Sequence, residues 1–213
     1  MAREDVLPVL LEVASEQAGY VTAAQAARLG VEQSRLSRLT ETEDLRRVRW
    51  GVYAMRHAQH RLEDEIGAWL AIDRARLPWE RNGEAVAVIS HASAAGIHGL
   101  GTVIPQHPAV TVTPEHRSAT RARDIELHVA PLLGPDWTWL TTDGARLPVT
   151  TPSRTIVDLL LAGEEPSYVE RAMAEALADN RTTPDDLLDT ARRRRKRTAG
   201  LTKSLIGMLD AIA

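Results

Sequence analysis

A chain of 213 residues that is 44% hydrophobic can pack one or two domains, with an aromatic set of five Trp and three Tyr and no Phe. The lack of Cys excludes disulfides and thiolate zinc sites and fits a reducing compartment. The net charge of -3 excludes a uniformly basic surface, but it averages three unlike stretches. Residues 1–60 carry 8 basic and 8 acidic groups, residues 61–179 carry 10 and 17, and residues 180–213 carry 8 and 4. The opening "MAREDVLPVLLEV" puts charge where a signal peptide needs an apolar run. No stretch approaches the roughly 18 apolar residues of a membrane span. The expectation is a cytoplasmic protein with no membrane contact.

In chain order, Leu7, Leu10, Leu11 and Ala14 recur at helical spacing and end at Gly19. Tyr20 and Val21 read as a short extended link. Thr22 and Gln25 have capping-box spacing and start a helix that stops at Gly30. A further helix runs from about Glu32 to Thr42, with Leu36 and Leu39 inward. At 100° per residue, Ser34, Ser37, Arg38 and Glu41 face outward, with Arg35 on the flank. Leu45–Val48 and Val52–Met55 then form a hairpin around Arg49-Trp50-Gly51. Two helices on a glycine turn, followed by a hairpin, make a winged helix-turn-helix.

The charge of this stretch is local. Residues 28–56 hold seven Arg (28, 35, 38, 46, 47, 49, 56) against four acids. A phosphate backbone responds to charge within a Debye length of ~8–10 Å, so local sign outweighs the net value. Double-stranded DNA is the expected partner. Ser34, Arg35, Ser37 and Arg38 would read the major groove, and Arg46, Arg47 and Arg49 would hold phosphates at the wing. Trp50 reads as a packing residue that anchors the wing.

A polar segment around His57–Arg61 marks a boundary, giving residues 1–58 as a winged-helix DNA-binding domain and 59–213 as a second domain. Ile66, Trp69, Leu70 and Leu77 mark an amphipathic helix ending at Pro78. Ala85–Ile89 reads as a strand, and Ser90 caps the small helix "HASAAGIHGL". Alternation around Val110–Val112, Ile125–Val129 and Trp137–Trp139 gives further strands of an antiparallel or mixed sheet. Thr151 and Pro152 start a helix, 166–178 continue helical, Thr183-Pro184-Asp185 starts another, and Leu201, Leu205, Met208, Leu209 and Ile212 line a last one. The fold class is α+β: a winged helix, then a mixed α+β domain with a small sheet and C-terminal helices.

Chemistry is hard to place on this chain. No His-x-x-x-His or His-Glu-x-x-His pair occurs, so no metal site is expected, and His98 beside Gly99 reads as a packed turn residue. Arg154 and Asp158, four apart, read as an intrahelical ion pair worth ~0.2–0.5 kcal/mol. An acid-x-Lys nuclease motif is excluded, because the two Lys, at 196 and 203, follow Arg194 and Leu201. Gly-Ser with Asp-x-Asp, a phosphate-binding glycine loop and Gly-x-Ser-x-Gly are all absent. Neither catalysis nor a cofactor is expected. The block Arg192, Arg193, Arg194, Arg195, Lys196, Arg197 admits several readings: a solvated helix face, a contact to flanking DNA or to an acidic protein, or a counterweight to the acidic middle.

The stretch "TAAQAARLGVEQSRLSRLTETEDLRRVRWGVYAM" resembles the N-terminal winged helix of AbiEi-family antitoxins of type IV toxin–antitoxin systems. "VISHASAAGIHGLG", "VTVTPEHR" and "LPVTTPSRTIVDLL" are similar to that family's later segments, in the same order. Trp50 departs from the family, which often has a small or basic residue there. The resemblance implies a transcriptional repressor that binds inverted repeats in its own operator. It also implies an antitoxin domain that counteracts a nucleotidyltransferase-like toxin, directly or indirectly. A ligand-responsive winged-helix repressor unrelated to a toxin remains the alternative.

Overall fold

The computed structural model describes residues 3–81, 83, 85–117, 123–194 and 198–212. Helix α1 (Arg3–Ser15) is followed by strand β1 (Tyr20–Thr22), helix α2 (Ala23–Arg28), helix α3 (Gln33–Glu41) and strands β2 (Leu45–Arg49) and β3 (Val52–Met55). The strands form an antiparallel sheet in the order β1-β3-β2, with Tyr20 opposite Ala54 and Leu45 opposite Met55. The link at Tyr20 is therefore a strand, because β3 offers it a free edge. The capping box forms: Gln25 N donates to Thr22 Oγ1 at 3.0 Å and Thr22 N to Gln25 Oε1 at 2.9 Å. The buried face of α1 is Val6, Leu10, Val13 and Ala14, while Leu11 is 49% exposed. The expected stripe is thus rotated by part of a turn, because α1 packs on β1 and β3 rather than on a lone helix.

Helix α4 (Glu63–Ile72) ends at Asp73, well before Pro78. It is not amphipathic: Ile66, Gly67, Ala68, Trp69, Leu70 and Ile72 are all buried. A stretch apolar nearly all round must be covered on most sides, and past its acidic first turn, where Asp64 is exposed, α4 is. It touches β1, β2 and β3 as well as strands β4 (Ala87–Ile89) and β5 (Ala109–Val112).

The second sheet has the order β6-β5-β4-β8-β7, adding β6 (Glu126–Val129), β7 (Trp137–Thr142) and β8 (Ala145–Thr150). It is mixed: β4–β8 and β5–β6 are parallel, β4–β5 and β7–β8 antiparallel. One apolar core joins Tyr20, Val52 and Ala54 of the wing sheet to α4 and to Ile89, Val110 and Val149 of this sheet. Helix α5 (His91–His98) begins at Ser90. Its hydroxyl does not cap the helix but accepts from Thr111 Oγ1 at 2.8 Å. His98 closes that helix, its Nε2 lying 2.7 Å from Thr150 O.

Helices α6 (Pro152–Ala162), α7 (Pro166–Ala178), α8 (Pro184–Arg193) and α9 (Thr198–Ile212) form a separate core with α5 around Ile156, Leu159, Met173, Leu187 and Leu205. Thr151 caps α6 as its position requires, accepting from Arg154 N at 3.4 Å. No described helix is long and apolar enough to cross a membrane.

Candidate nucleic-acid interface

Leu36 and Leu39 anchor α3 on the N-terminal core, which includes Leu10, Val31, Leu45 and Tyr53. Gln33 ties its start to the wing, donating through Nε2 to Tyr53 Oη at 3.1 Å. With that face fixed, Ser34, Ser37 and Arg38 point to solvent and Arg35 is half-buried. Ser34 Oγ makes a 3.3 Å contact with Glu32. Arg38 has no hydrogen-bond or ion-pair partner among the described residues. The Gly30 turn adopts φ +78°, and Val31 N donates to Ala26 O at 2.9 Å, setting the angle between α2 and α3.

The wing is a tight reversal. Gly51 takes φ +72° and its carbonyl accepts from Ala23 N at 2.8 Å, so the turn is moored to the start of α2. A register shift between Arg47 and Arg49 bulges β2 beside it. Trp50 does not pack into the wing: it is 84% exposed. A two-residue turn leaves no apolar neighbour within its reach, and its contact is Arg47, whose guanidinium carbon stands 4.5 Å over the ring. The two form a cationic and aromatic tip.

The other arginines of this region have internal partners. Arg46 donates to Glu63 Oε1 at 2.9 Å. That hydrogen bond holds the Glu63 carboxyl below its ordinary range and raises Arg46. Tyr20 Oη donates to the same carboxylate at 3.0 Å, and burial, followed by Glu63, pushes the phenol up. Arg49 is mostly buried and pairs with Asp124. Arg56 donates through Nε and Nη2 to the carbonyls of Glu43 and Thr42, both at 2.9 Å, closing the C-terminal end of α3. Arg28 bridges to Glu80 and to Ala75 O. That hydrogen bond brings Glu80 down to about 2.

Within the basic run, Arg192 is exposed and pairs with Asp189 at 2.6 Å. Arg193 reaches Asp136 and Arg194 reaches Asp158, so both turn inward. Arg195, Lys196 and Arg197 lie outside the described residues. Arg154 and Asp158 are fully buried and belong to this same network. The small value expected for an exposed helical pair therefore does not apply to them, because removing either partner would strand a charge out of water. Only non-local contacts reveal this: Asp136 comes from the turn before β7 and Arg193 from the end of α8. No group of three or more His, Asp or Glu among the described residues could hold a metal ion.

The order helix, strand, helix, helix and two strands, with a solvent-facing Ser/Arg helix beside a cationic hairpin tip, is the arrangement of a winged helix-turn-helix. Residues 8–56 match the family described as transcriptional regulator, AbiEi antitoxin. Over these residues the chain is similar to that family, and the motifs of its N-terminal stretch fall within the match. No curated protein matches the chain.

Proposed function

We propose that the chain is a DNA-binding antitoxin that represses its own operon by binding inverted repeats in operator DNA, and that counteracts a nucleotidyltransferase-like toxin. Residues 1–58 would bind DNA, and residues 59–213 would carry the antitoxin role. The carrying observation is the open face of α3: Ser34, Ser37 and Arg38 are exposed beside the Arg47–Trp50 tip. Arg35 completes this face from its half-buried flank. Arginine reads guanine through two donors, and short Ser side chains let the helix approach the base edges. Arg47 would meet phosphate at the wing. Arg46 and Arg49 would join it by exchanging Glu63 and Asp124 for phosphate, and otherwise they hold the wing on the rest of the molecule.

The test is a fluorescence-anisotropy titration of the full chain against its own upstream duplex and a scrambled duplex, at two salt concentrations. Tight, selective binding is expected, with a salt slope that grows by about 0.9 for each phosphate neutralised. Equal affinity for the two duplexes would remove the repressor reading. Growth rescue on co-expression with the neighbouring toxin gene tests the antitoxin half separately.

A further inference from the structure

Four buried side-chain polar atoms among the described residues lack a hydrogen-bond partner, and three of them share one cluster: Arg154 Nη2, Arg194 Nε and Asp158 Oδ1. The cluster lies where α6, the end of α8 and the turn before β7 meet. Arg154 donates through Nε to Asp158 Oδ2 at 2.8 Å and through Nη1 to Asp136 Oδ2 at 2.7 Å. Arg193 Nε donates to Asp136 Oδ1 at 3.1 Å, and Arg194 Nη2 stands 3.3 Å from Asp158 Oδ1 without a hydrogen bond. Three guanidiniums thus meet two carboxylates, leaving one positive charge in excess.

His91 and His128 stack beside this cluster, ring centroids 3.4 Å apart and planes 12° apart. Burial first, then His128, Arg154 and Arg194, push His91 down to about 2, so its ring is neutral. Ser90 Oγ accepts from Thr111 and stands 2.9 Å from His91 Nδ1.

We propose that Arg154, Arg194 and Asp158, with the stacked His91 and His128 at their side, form a binding site for a phosphate group that still carries one hydrogen. A monoester that keeps one hydrogen carries a single negative charge and cancels the excess, and hydrogen phosphate, with two, more than offsets it. Its unprotonated oxygens accept from Arg154 Nη2 and Arg194 Nε, a match that guanidinium geometry favours. Its P–OH donates to Asp158 Oδ1, the one unmet acceptor. Sulfate offers the same acceptors but has no hydrogen for Asp158, which sets the specificity. The cluster meets solvent on one side, where the side chains of His128, Arg193 and Arg194 are 25%, 29% and 19% exposed. Of these, Arg194 has only its 3.3 Å ion contact to hold its side chain among the described residues. This site is independent of the DNA interface and of the function proposed above.

Calorimetric titration and thermal denaturation of the full chain, at fixed ionic strength, test the site with inorganic phosphate, sulfate and chloride. Saturable binding of phosphate, at least tenfold tighter than sulfate, is expected. Arg194→Ala should weaken phosphate at least tenfold with an unchanged circular dichroism spectrum. Should that variant not fold, the imidazole NMR signals of His91 and His128 in the unmodified chain serve instead: they should shift with phosphate and stay fixed with sulfate. Responses to the three salts that are alike, or phosphate binding intact in Arg194→Ala, would overturn the proposal. A nucleoside 5′-monophosphate, and a 5′-phosphorylated oligonucleotide beside its unphosphorylated twin, decide the source. Binding by inorganic phosphate alone means the free ion, and binding by the 5′-phosphorylated strand means a nucleic-acid end.

Discussion

Seven arginines of one sequence window meet seven different environments, and partner geometry separates their roles. Arg38 is exposed on α3 with no partner among the described residues, whereas Arg46 is held by Glu63. Arg38→Ala should weaken operator binding by ~1–3 kcal/mol and random DNA less. Arg46→Ala should change operator affinity less than Arg38→Ala, and stability by no more than ~1 kcal/mol, since its ion pair is half exposed. Anisotropy on both duplexes checks the first claim, and equal losses on the two would deny Arg38 a base-reading role. The outward face of α3 was legible from helical period alone. The pairing of the arginines was not, because Glu63 and Asp124 lie 17 and 75 residues from the arginines they bind. At the same scale, His91 gives the molecule a pH response. Its folded pKa of about 2 lies below the ordinary 6.5, so between these values the unfolded chain takes up a proton that the folded chain refuses. Stability should therefore fall as pH drops below about 6.5, by up to ~1.4 kcal/mol per pH unit from this residue. His98, also lowered by burial, acts in the same direction. Urea midpoints between pH 7.5 and 5 should show a smaller slope in His91→Gln, and an unchanged slope would refute the assignment.

The wing is the element whose stability and function come apart most clearly. Trp50 is exposed and contributes no core contact, so Trp50→Ala should leave the denaturation midpoint in place while weakening operator binding by about 1 kcal/mol or more. Gly51 behaves oppositely. A Cβ there meets nothing within 4 Å, yet φ +72° strains any other L residue, so Gly51→Ala should destabilise by roughly 1 kcal/mol. Thermal melts beside anisotropy separate the two, and a lowered melting temperature in Trp50→Ala would mean that the ring does anchor the wing. The hairpin, helix α3 and the Thr151-Pro152 helix start were readable because each rests on local signals. Strand β8 was not: Pro148 interrupts its pattern, and a proline argues against an inner strand. It is tolerated because β4 pairs with β8 only at Ile89 and Val149, so no full ladder needs the missing N–H. Helix α4 misled in another way. Its apolar residues continue round the helix, and only the elements on both sides explain why.

At the scale of the whole molecule, α4 is the shared wall between the wing sheet and the five-stranded sheet, and the buried ion network is the clamp at the other end. Arg154→Ala would leave the carboxylates of Asp136 and Asp158 buried without their central partner, a loss of about 3–5 kcal/mol. That loss should appear as melting of α6 and α8 on their own core, since α5 to α9 pack around a cluster separate from that of α4. Ile66 tests the other half. It is fully buried among Tyr20, Val52 and Ala54 on one side and Ile89 and Val149 on the other. Ile66→Ala should destabilise by ~2–5 kcal/mol. Because one core serves both sheets, hydrogen exchange should quicken together at the amides of β3 and of β8. Quickening confined to β4 and β8 would mean that the winged helix holds its fold without α4. Joint quickening would mean that the outward face of α3 is held in shape by the acidic half of the chain, so that any ligand or partner stabilising that half also stabilises the face proposed to read DNA.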